Sequence, residues 1–172
     1  MTSMATASPF ANPPTQRLAD FVRGIGIAVR AATLTAPTFL PGLDIRHGAI
    51  FVDEARLTYP GDMLHEAGHI AVADPAERHA PTLSPSPGEE LTTIAWSNAA
   101  LRHLDIDPAI AFHGAFKGGG AAIIENFTAG HYIGVPLLQA YGMSCEPHRA
   151  RKKPSPFSPH AALDALTQRI VP

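Results

Sequence analysis

Cysteine is nearly absent from this chain, since Cys145 is the only one among 172 residues. A disulfide framework needs paired cysteines and a thiolate zinc cluster needs several, so the sequence excludes both. Charge is also scarce: charged residues make up 16% of the chain, and the formal net charge is −2. This composition lacks the basic surface of a nucleic-acid-binding protein, and the short run "RARKK" at residues 149–153 does not supply one.

Long apolar runs are missing as well. No stretch approaches the roughly 20 apolar residues that cross a bilayer, and the start "MTSMATASPFANPPTQ" lacks the charged and apolar regions of a secretory signal. Hydrophobic residues nevertheless make up 45% of the chain, enough for the packed core of one domain. We therefore expect a cytoplasmic protein that binds neither membranes nor nucleic acids.

The order of local patterns predicts an α+β fold with one domain. Residues 1–14 are small, polar and proline-containing and are expected to be disordered, whereas residues 144–172 form a proline-rich basic tail. Between them, residues 15–143 begin with a helix capped by Thr15, followed by a strand in "IGIAVRAATL" and a hairpin turning at His47-Gly48. The remaining patterns are helical, so we expect about three strands packed on a helix rather than alternating βαβ units.

Helix signals divide the second half of the chain. In "YPGDMLHEAGHIAVADP" we expect Asp62 to cap a helix that ends near Ala73. The stretch Ser86-Pro87-Gly88-Glu89 is a capping box and predicts a long helix from Pro87 to Leu104. Shorter helices are expected after Asp107, from Ala121 to Ala129, and in "VPLLQAYGM".

The segment "HEAGH" predicts a zinc site with its own base. Histidines four positions apart on a helix lie on one face, so His65 and His69 present two imidazoles to one point, where zinc accepts nitrogen ligands. Glu66 is turned away from that point and can act as general base toward a water on the metal. Gly68 is costly inside a helix, which indicates that another element or a substrate approaches closely there. The alternative is three polar residues without a metal.

A catalytic zinc needs a third protein ligand, and three glutamates compete for that position. Glu89 already has a role in the capping box, whereas Glu90 falls on the helix stripe that should face the core. A carboxylate facing the core is costly unless it is paired or binds a metal. Glu90 is therefore the predicted ligand, with Glu89 and Glu125 as alternatives.

A hydrolase also needs a donor that stabilises the oxyanion formed in the reaction. Candidates for this role lie at loop or helix ends and are His113, His131, Tyr132 and Tyr59. Residues in such positions are more often capping or solvated residues, which is the alternative for each of them.

The spacing of these residues resembles the gluzincin class of zinc metallopeptidases, in which a glutamate follows "HExxH" by about 20 positions. Here the spacing from His69 is 21 positions to Glu90 and 20 to Glu89. The resemblance implies a zincin-like fold, a mononuclear zinc and hydrolysis of a peptide or small amide substrate. It also implies a strand beside the active-site helix, here residues 49–53, along whose edge a substrate could add.

The chain departs from the large gluzincins at two points. Ile94 stands where those enzymes have an acidic residue four positions after the third ligand, so Asn98 and Asp62 are the candidates to orient a histidine instead. We also expect no counterpart of the large second domain that walls their cleft. From residue 17 to 143, segments such as "TFLPGL" and "AWSNAALRHLDID" are similar to a family of small bacterial proteins with the same pattern, which brings no known activity.

Three functions remain open. The first is a zinc-dependent, peptidase-like hydrolase, and the second is a non-catalytic metal-dependent binding or regulatory module. The third is a hydrolase that acts on a non-peptide amide or ester. An open cleft beside Glu66 favours the enzyme, whereas a closed shell of four protein ligands favours the module.

Overall fold

The structure, a computed structural model, describes residues 9–143. Within them lie five α-helices and a three-stranded sheet, with a short 3-10 helix between the third and fourth α-helices. In chain order the elements are α1 (Pro13–Gly24), β1 (Ala28–Ala31), β2 (Leu43–Arg46), β3 (Ala49–Val52), α2 (Asp62–Val72), α3 (Pro87–Leu104), the 3-10 helix (Pro108–Ile110), α4 (Gly120–Thr128) and α5 (Val135–Ala140). The mixed α+β class is as predicted. The predicted tail, Cys145 and most of the predicted disordered start lie outside the described residues.

The sheet has the order β1-β3-β2, with β3 parallel to β1 and antiparallel to β2. The β2–β3 hairpin turns at His47-Gly48 as predicted, and both residues have positive φ, at 51° and 72°. Because β3 is the central strand, both of its edges are already paired. The expectation that a substrate could add along residues 49–53 is therefore wrong, and the outer strands of the sheet are β1 and β2.

Two helix starts differ from the predictions because other residues cap them. Asn12, rather than Thr15, caps α1, since the Asn12 side chain accepts a hydrogen bond from the Thr15 backbone N–H. The helix therefore starts at Pro13, a residue suited to a first helical position. Asp62 is the first residue of α2 rather than its cap, and its carboxylate contacts His113 instead.

The long helix α3 has the predicted bounds. The Ser86 side chain accepts from the Glu89 backbone N–H, and the Glu89 carboxylate accepts from the Ser86 backbone N–H, which completes the capping box. The element after Asp107 is a 3-10 helix of three residues, and α4 starts one position before the predicted bound. Among the described residues, no helix combines the length and apolar character needed to cross a membrane.

Helix α2 occupies the centre of the fold, packed against α3, α1 and the strands β2 and β3. All of its residues are buried except Glu66, which is partly exposed. A Cβ added to Gly68 would lie 2.8 Å from Thr93 Cγ2 and 3.3 Å from the Thr93 carbonyl oxygen. Glycine at this position therefore allows α3 to approach α2, as the sequence indicated.

Side chains also hold both ends of α2. At its C-terminal end, the buried Arg78 guanidinium donates through Nε to the Ile70 carbonyl at 3.0 Å. At its first residue, Asp62 Oδ1 lies 2.9 Å from His113 Nε2. The helix that carries "HEAGH" is thus fixed by packing along its length and by polar contacts at each end.

Candidate metal centre

Three side chains from α2 and α3 converge on one point. His65 Nε2 and His69 Nε2 are 3.1 Å apart, and the Glu90 carboxylate lies 3.3 Å from His69 Nε2 and 3.7 Å from His65 Nε2. The structure thus brings Glu90, rather than Glu89 or Glu125, to the histidines. Glu89 is engaged in the capping box and Glu125 is exposed on α4.

These separations fit a tetrahedral metal ion. Two ligand atoms bound to zinc at about 2.0–2.1 Å with a tetrahedral angle lie roughly 3.3–3.4 Å apart. The observed separations of 3.1, 3.3 and 3.7 Å bracket that value. Two imidazoles and one carboxylate are also a donor set found in catalytic zinc sites. This cluster could therefore bind a metal ion.

Burial keeps both imidazoles in the form that binds metals. It lowers the pKa of His65 to about 2, with smaller contributions from His69 and Lys117. Burial also lowers the pKa of His69, although the nearby Glu90 carboxylate opposes that shift. Both rings are therefore neutral near neutral pH, with a lone pair available for a metal.

The orientation of His69 is supported by a residue that sequence reasoning missed. Thr93 Oγ1 lies 3.3 Å from His69 Nδ1, the ring nitrogen directed away from the cluster. With Nε2 as the ligand atom, Nδ1 carries the proton and donates to this hydroxyl. Thr93 follows Glu90 by about one helical turn and therefore lies on the same face of α3. A threonine at that spacing is the sequence signal that could have identified this contact.

Asn98 and Asp62 were the residues predicted to orient a ligand histidine. The hydrogen bonds of residues 9–143 join neither of them to His65 or His69. Asp62 pairs with His113, and burial raises the Asp62 pKa while His113 opposes that shift. Asn98 lines a small pocket together with Tyr132 and Arg102, separate from the cluster.

Glu66 is placed beside the metal cluster but is not part of it. It lines the same cleft as His65 and His69. Burial raises the pKa of Glu66 to about 7, Asp62 raises it further, and Lys117 opposes the shift. The structure therefore places this carboxylate on the wall of the cleft, outside the set of three possible metal ligands.

Lys117 is a second residue that sequence reasoning missed. Its Nζ lies 2.5 Å from Glu90 Oε2, so an ammonium ion contacts the third ligand directly. It is the only lysine within residues 9–143, and it stands between an aromatic residue and three glycines in "AFKGGG". A lone lysine in such a segment is a sequence signal for a functional residue. The neighbouring sequence does not show which carboxylate this lysine contacts.

The cluster opens into a cleft of about 360 Å³. Beyond the three ligands, Glu66 and Lys117, its walls are formed by Phe39, Asp44, Ile45, Thr82, Leu83 and Pro85. The cleft therefore combines the middle of α2 and the start of α3 with strand β2 and three loops.

The candidate oxyanion donors lie elsewhere. His113 stacks on Tyr59 with 3.5 Å between ring centroids and contacts Asp62, and neither ring is among the residues lining the cleft. Tyr132 lines the separate pocket with Asn98. The structure thus brings together His65, Glu66, His69 and Glu90, and it does not bring His113 or Tyr132 to them.

No family model, curated protein or solved structure matches this chain. What supports a metal centre is therefore the geometry of His65, His69 and Glu90 in the chain itself.

Proposed function

We propose that this chain is a zinc-dependent, peptidase-like hydrolase with a zincin-like arrangement, in which His65, His69 and Glu90 hold the metal. The observation that carries the proposal is that these ligands converge on the wall of an open cleft that Glu66 also lines. Structural zinc sites are closed by four protein ligands, whereas catalytic sites keep one position open. The cluster in the described residues has three ligands, which fits the catalytic type.

Each residue of the centre has a defined task in this proposal. When bound, zinc supplies a Lewis acid and brings the pKa of a bound water to about 7. Glu66 accepts the proton of the attacking water and then donates it to the leaving nitrogen of the amide. The Thr93 hydroxyl keeps the His69 ring in its ligand orientation.

The edge strand β2 favours a peptide over other amides. Asp44 and Ile45 belong to β2 and line the cleft, so the unpaired edge of the sheet runs past the metal cluster. An extended peptide can bind such an edge through backbone hydrogen bonds.

A second candidate function keeps the metal without turnover. Its support is the contact between Lys117 and Glu90, because an ammonium ion balances the third ligand when no metal is bound. A chain that balances this carboxylate with and without a metal suits a metal-dependent binding or regulatory module.

The Glu66→Gln variant tests the proposal, since it removes the base and leaves all three ligands in place. The zinc-loaded wild type is incubated with a peptide library and cleavage is followed by mass spectrometry, while elemental analysis gives the zinc content. We expect the variant to retain close to one zinc per chain and to lose cleavage by roughly 100-fold or more.

The control is His65→Ala, which should lose the zinc. If Glu66→Gln releases zinc as readily as His65→Ala, then Glu66 is a ligand and its assignment as base is wrong. If the wild type holds zinc and cleaves no peptide of the library, the hydrolase proposal fails and the binding module stands.

A further inference from the structure

Lys117 is the only lysine or arginine lining the cleft in the described part of the chain. Its Nζ lies 2.5 Å from Glu90 Oε2, and the same oxygen lies 3.7 Å from His65 Nε2. The Glu90 carboxylate thus contacts the Lys117 ammonium and also lies near the His65 ring. A group bound to Lys117 would lie next to a group bound to the metal.

Beyond its ion pair with Glu90, the side chain of Lys117 is not enclosed by its surroundings. Its side chain is 41% exposed, and the next two residues, Gly118 and Gly119, have positive φ and would meet nothing within 4 Å if a Cβ were added. Apart from Glu90, its described neighbour is the ring of Phe39, whose centroid lies 5.8 Å from Nζ. The lysine is therefore placed at an open surface with room beside it.

Metal binding changes the electrostatic partner of Lys117. The Glu90 carboxylate neutralises the ammonium in the structure described, but a divalent cation on His65, His69 and Glu90 would draw on the same negative charge. Two positive centres would then share one carboxylate at short range. An anionic group supplied by a ligand restores the balance and forms a charge-assisted hydrogen bond with Nζ.

The remaining charges and the size of the cleft restrict where that anion can bind. Glu66 and Asp44 also line the cleft, and each repels a carboxylate that approaches it. Phe39 is 86% exposed and its ring centroid lies 5.8 Å from Lys117 Nζ, while Leu83 adds apolar surface to the same cleft. The volume of about 360 Å³ is at the low end for ligand sites, which suits a ligand of about two amino acids.

We propose that Lys117 is a specificity-determining residue that binds the C-terminal carboxylate of the substrate. The site then takes short peptides or N-acyl amino acids in which one residue follows the cleaved amide bond. The side chain of that last residue packs against Phe39 and Leu83. This inference rests on the proposed zinc hydrolase function and adds the class of its substrate.

Binding of matched thiols to the zinc-loaded full chain tests this inference without relying on turnover. The probes are mercaptoacetyl-leucine, which carries a terminal carboxylate, and mercaptoacetyl-leucine amide, which does not. A third probe, the α-amide of mercaptoacetyl-aspartate, carries its carboxylate on the side chain. Affinities are measured by calorimetry on the wild type, Lys117→Met and Lys117→Arg, each saturated with zinc. Arg30→Met is the control, since it removes an exposed cation on β1.

We expect the wild type to bind mercaptoacetyl-leucine roughly 10- to 100-fold more tightly than its amide, as for a hydrogen bond to a charged group. Lys117→Met should abolish that preference and leave the affinity for the amide unchanged, while Lys117→Arg should retain part of it and Arg30→Met all of it. Equal losses for both leucine probes in Lys117→Met would overturn the inference, as would tighter binding of the aspartate probe. If neither leucine probe binds the zinc-loaded wild type, the zinc has no position open to a ligand, and both the proposed hydrolase and this inference are refuted although the metal site stands.

Discussion

The two sides of the cleft are built differently. On one side, α2 and α3 carry the three proposed metal ligands, and both histidines are buried, with exposures of 1% and 8%. On the other side, Phe39 and Lys117 stand on loops and are exposed. Regular elements fix the positions of side chains closely, whereas loops tolerate variation. The comparison indicates that helix packing fixes the positions of the three proposed metal ligands. Selectivity for a bound ligand would then depend on the side chains of the loops.

The helix side depends on close packing between two helices, while the loop that bears Phe39 is held by hydrogen bonds. The position of α3 against α2 requires the small residue Gly68 next to Thr93. The loop bearing Phe39 is held by Thr38, whose hydroxyl donates to the Leu40 carbonyl at 2.7 Å, and by Arg56, which donates to the Leu34 carbonyl. A change on the helix side should therefore reach the metal site, whereas a change at Phe39 should affect only the bound ligand.

The largest effect is expected when the carboxylate of Glu90 is lost from the helix side. Glu90→Gln should weaken zinc binding by more than about 100-fold, because loss of a direct ligand should exceed the effect of losing an outer partner. A competition titration with a chromophoric chelator measures this. The matched control is Glu89→Gln, which can keep the capping box and should keep the zinc. Zinc loss in Glu89→Gln with retention in Glu90→Gln would reverse the assignment.

A smaller effect is expected from the contact behind the ligand. Thr93→Val keeps the shape of the side chain and removes the hydroxyl that meets His69 Nδ1. We expect zinc affinity to fall by about 10-fold, at the low end for loss of such a partner. Thr92→Val is the control, because the Thr92 hydroxyl donates to the Gly88 carbonyl within its own helix. Equal losses in the two variants, measured by the same titration, would show that the Thr93 hydroxyl has no special role.

The smallest effect tests how tightly α2 and α3 are packed. Gly68→Ala gains about 1 kcal/mol of helix propensity but places a Cβ 2.8 Å from Thr93 Cγ2. Overpacking costs about 1–3 kcal/mol, and part of this contact is with backbone, so we expect a net loss of about 1 kcal/mol in the free energy of unfolding. Urea denaturation measures it. Gly24→Ala at the end of α1 meets nothing within 4 Å and should be neutral or stabilising. A Gly68→Ala protein as stable as the wild type would mean that α3 is free to shift.

The same division explains what the sequence could predict. The start of α3 followed from Ser86, Pro87 and Glu89, which lie close together in the chain. The choice of Glu90 over Glu89 followed from helical periodicity together with the capping role of its neighbour. These signals are local, and they belong to the helix side of the cleft.

What the sequence could not predict depends on contacts between distant residues. The central position of β3 is set by pairing with β1, and the local pattern of residues 49–53 does not encode it. Likewise, Lys117 reaches Glu90 across 27 positions of the chain, through a glycine-rich loop whose path has no periodic signal. Asp62 was expected to cap α2 because capping residues are recognised by type, yet its partner is a histidine 51 positions away.

The anchoring of α2 at Asp62 and Arg78 has a consequence for how the metal arrives. Small zinc modules are disordered until the ion binds, so part of its binding energy orders the chain. Here the imidazoles and the carboxylate are held in register by helix packing and by the polar contacts at each end of α2. The zinc ion of the proposed site would therefore bind to preformed ligands. A chelator should remove it while the fold persists, and zinc should bind again without refolding.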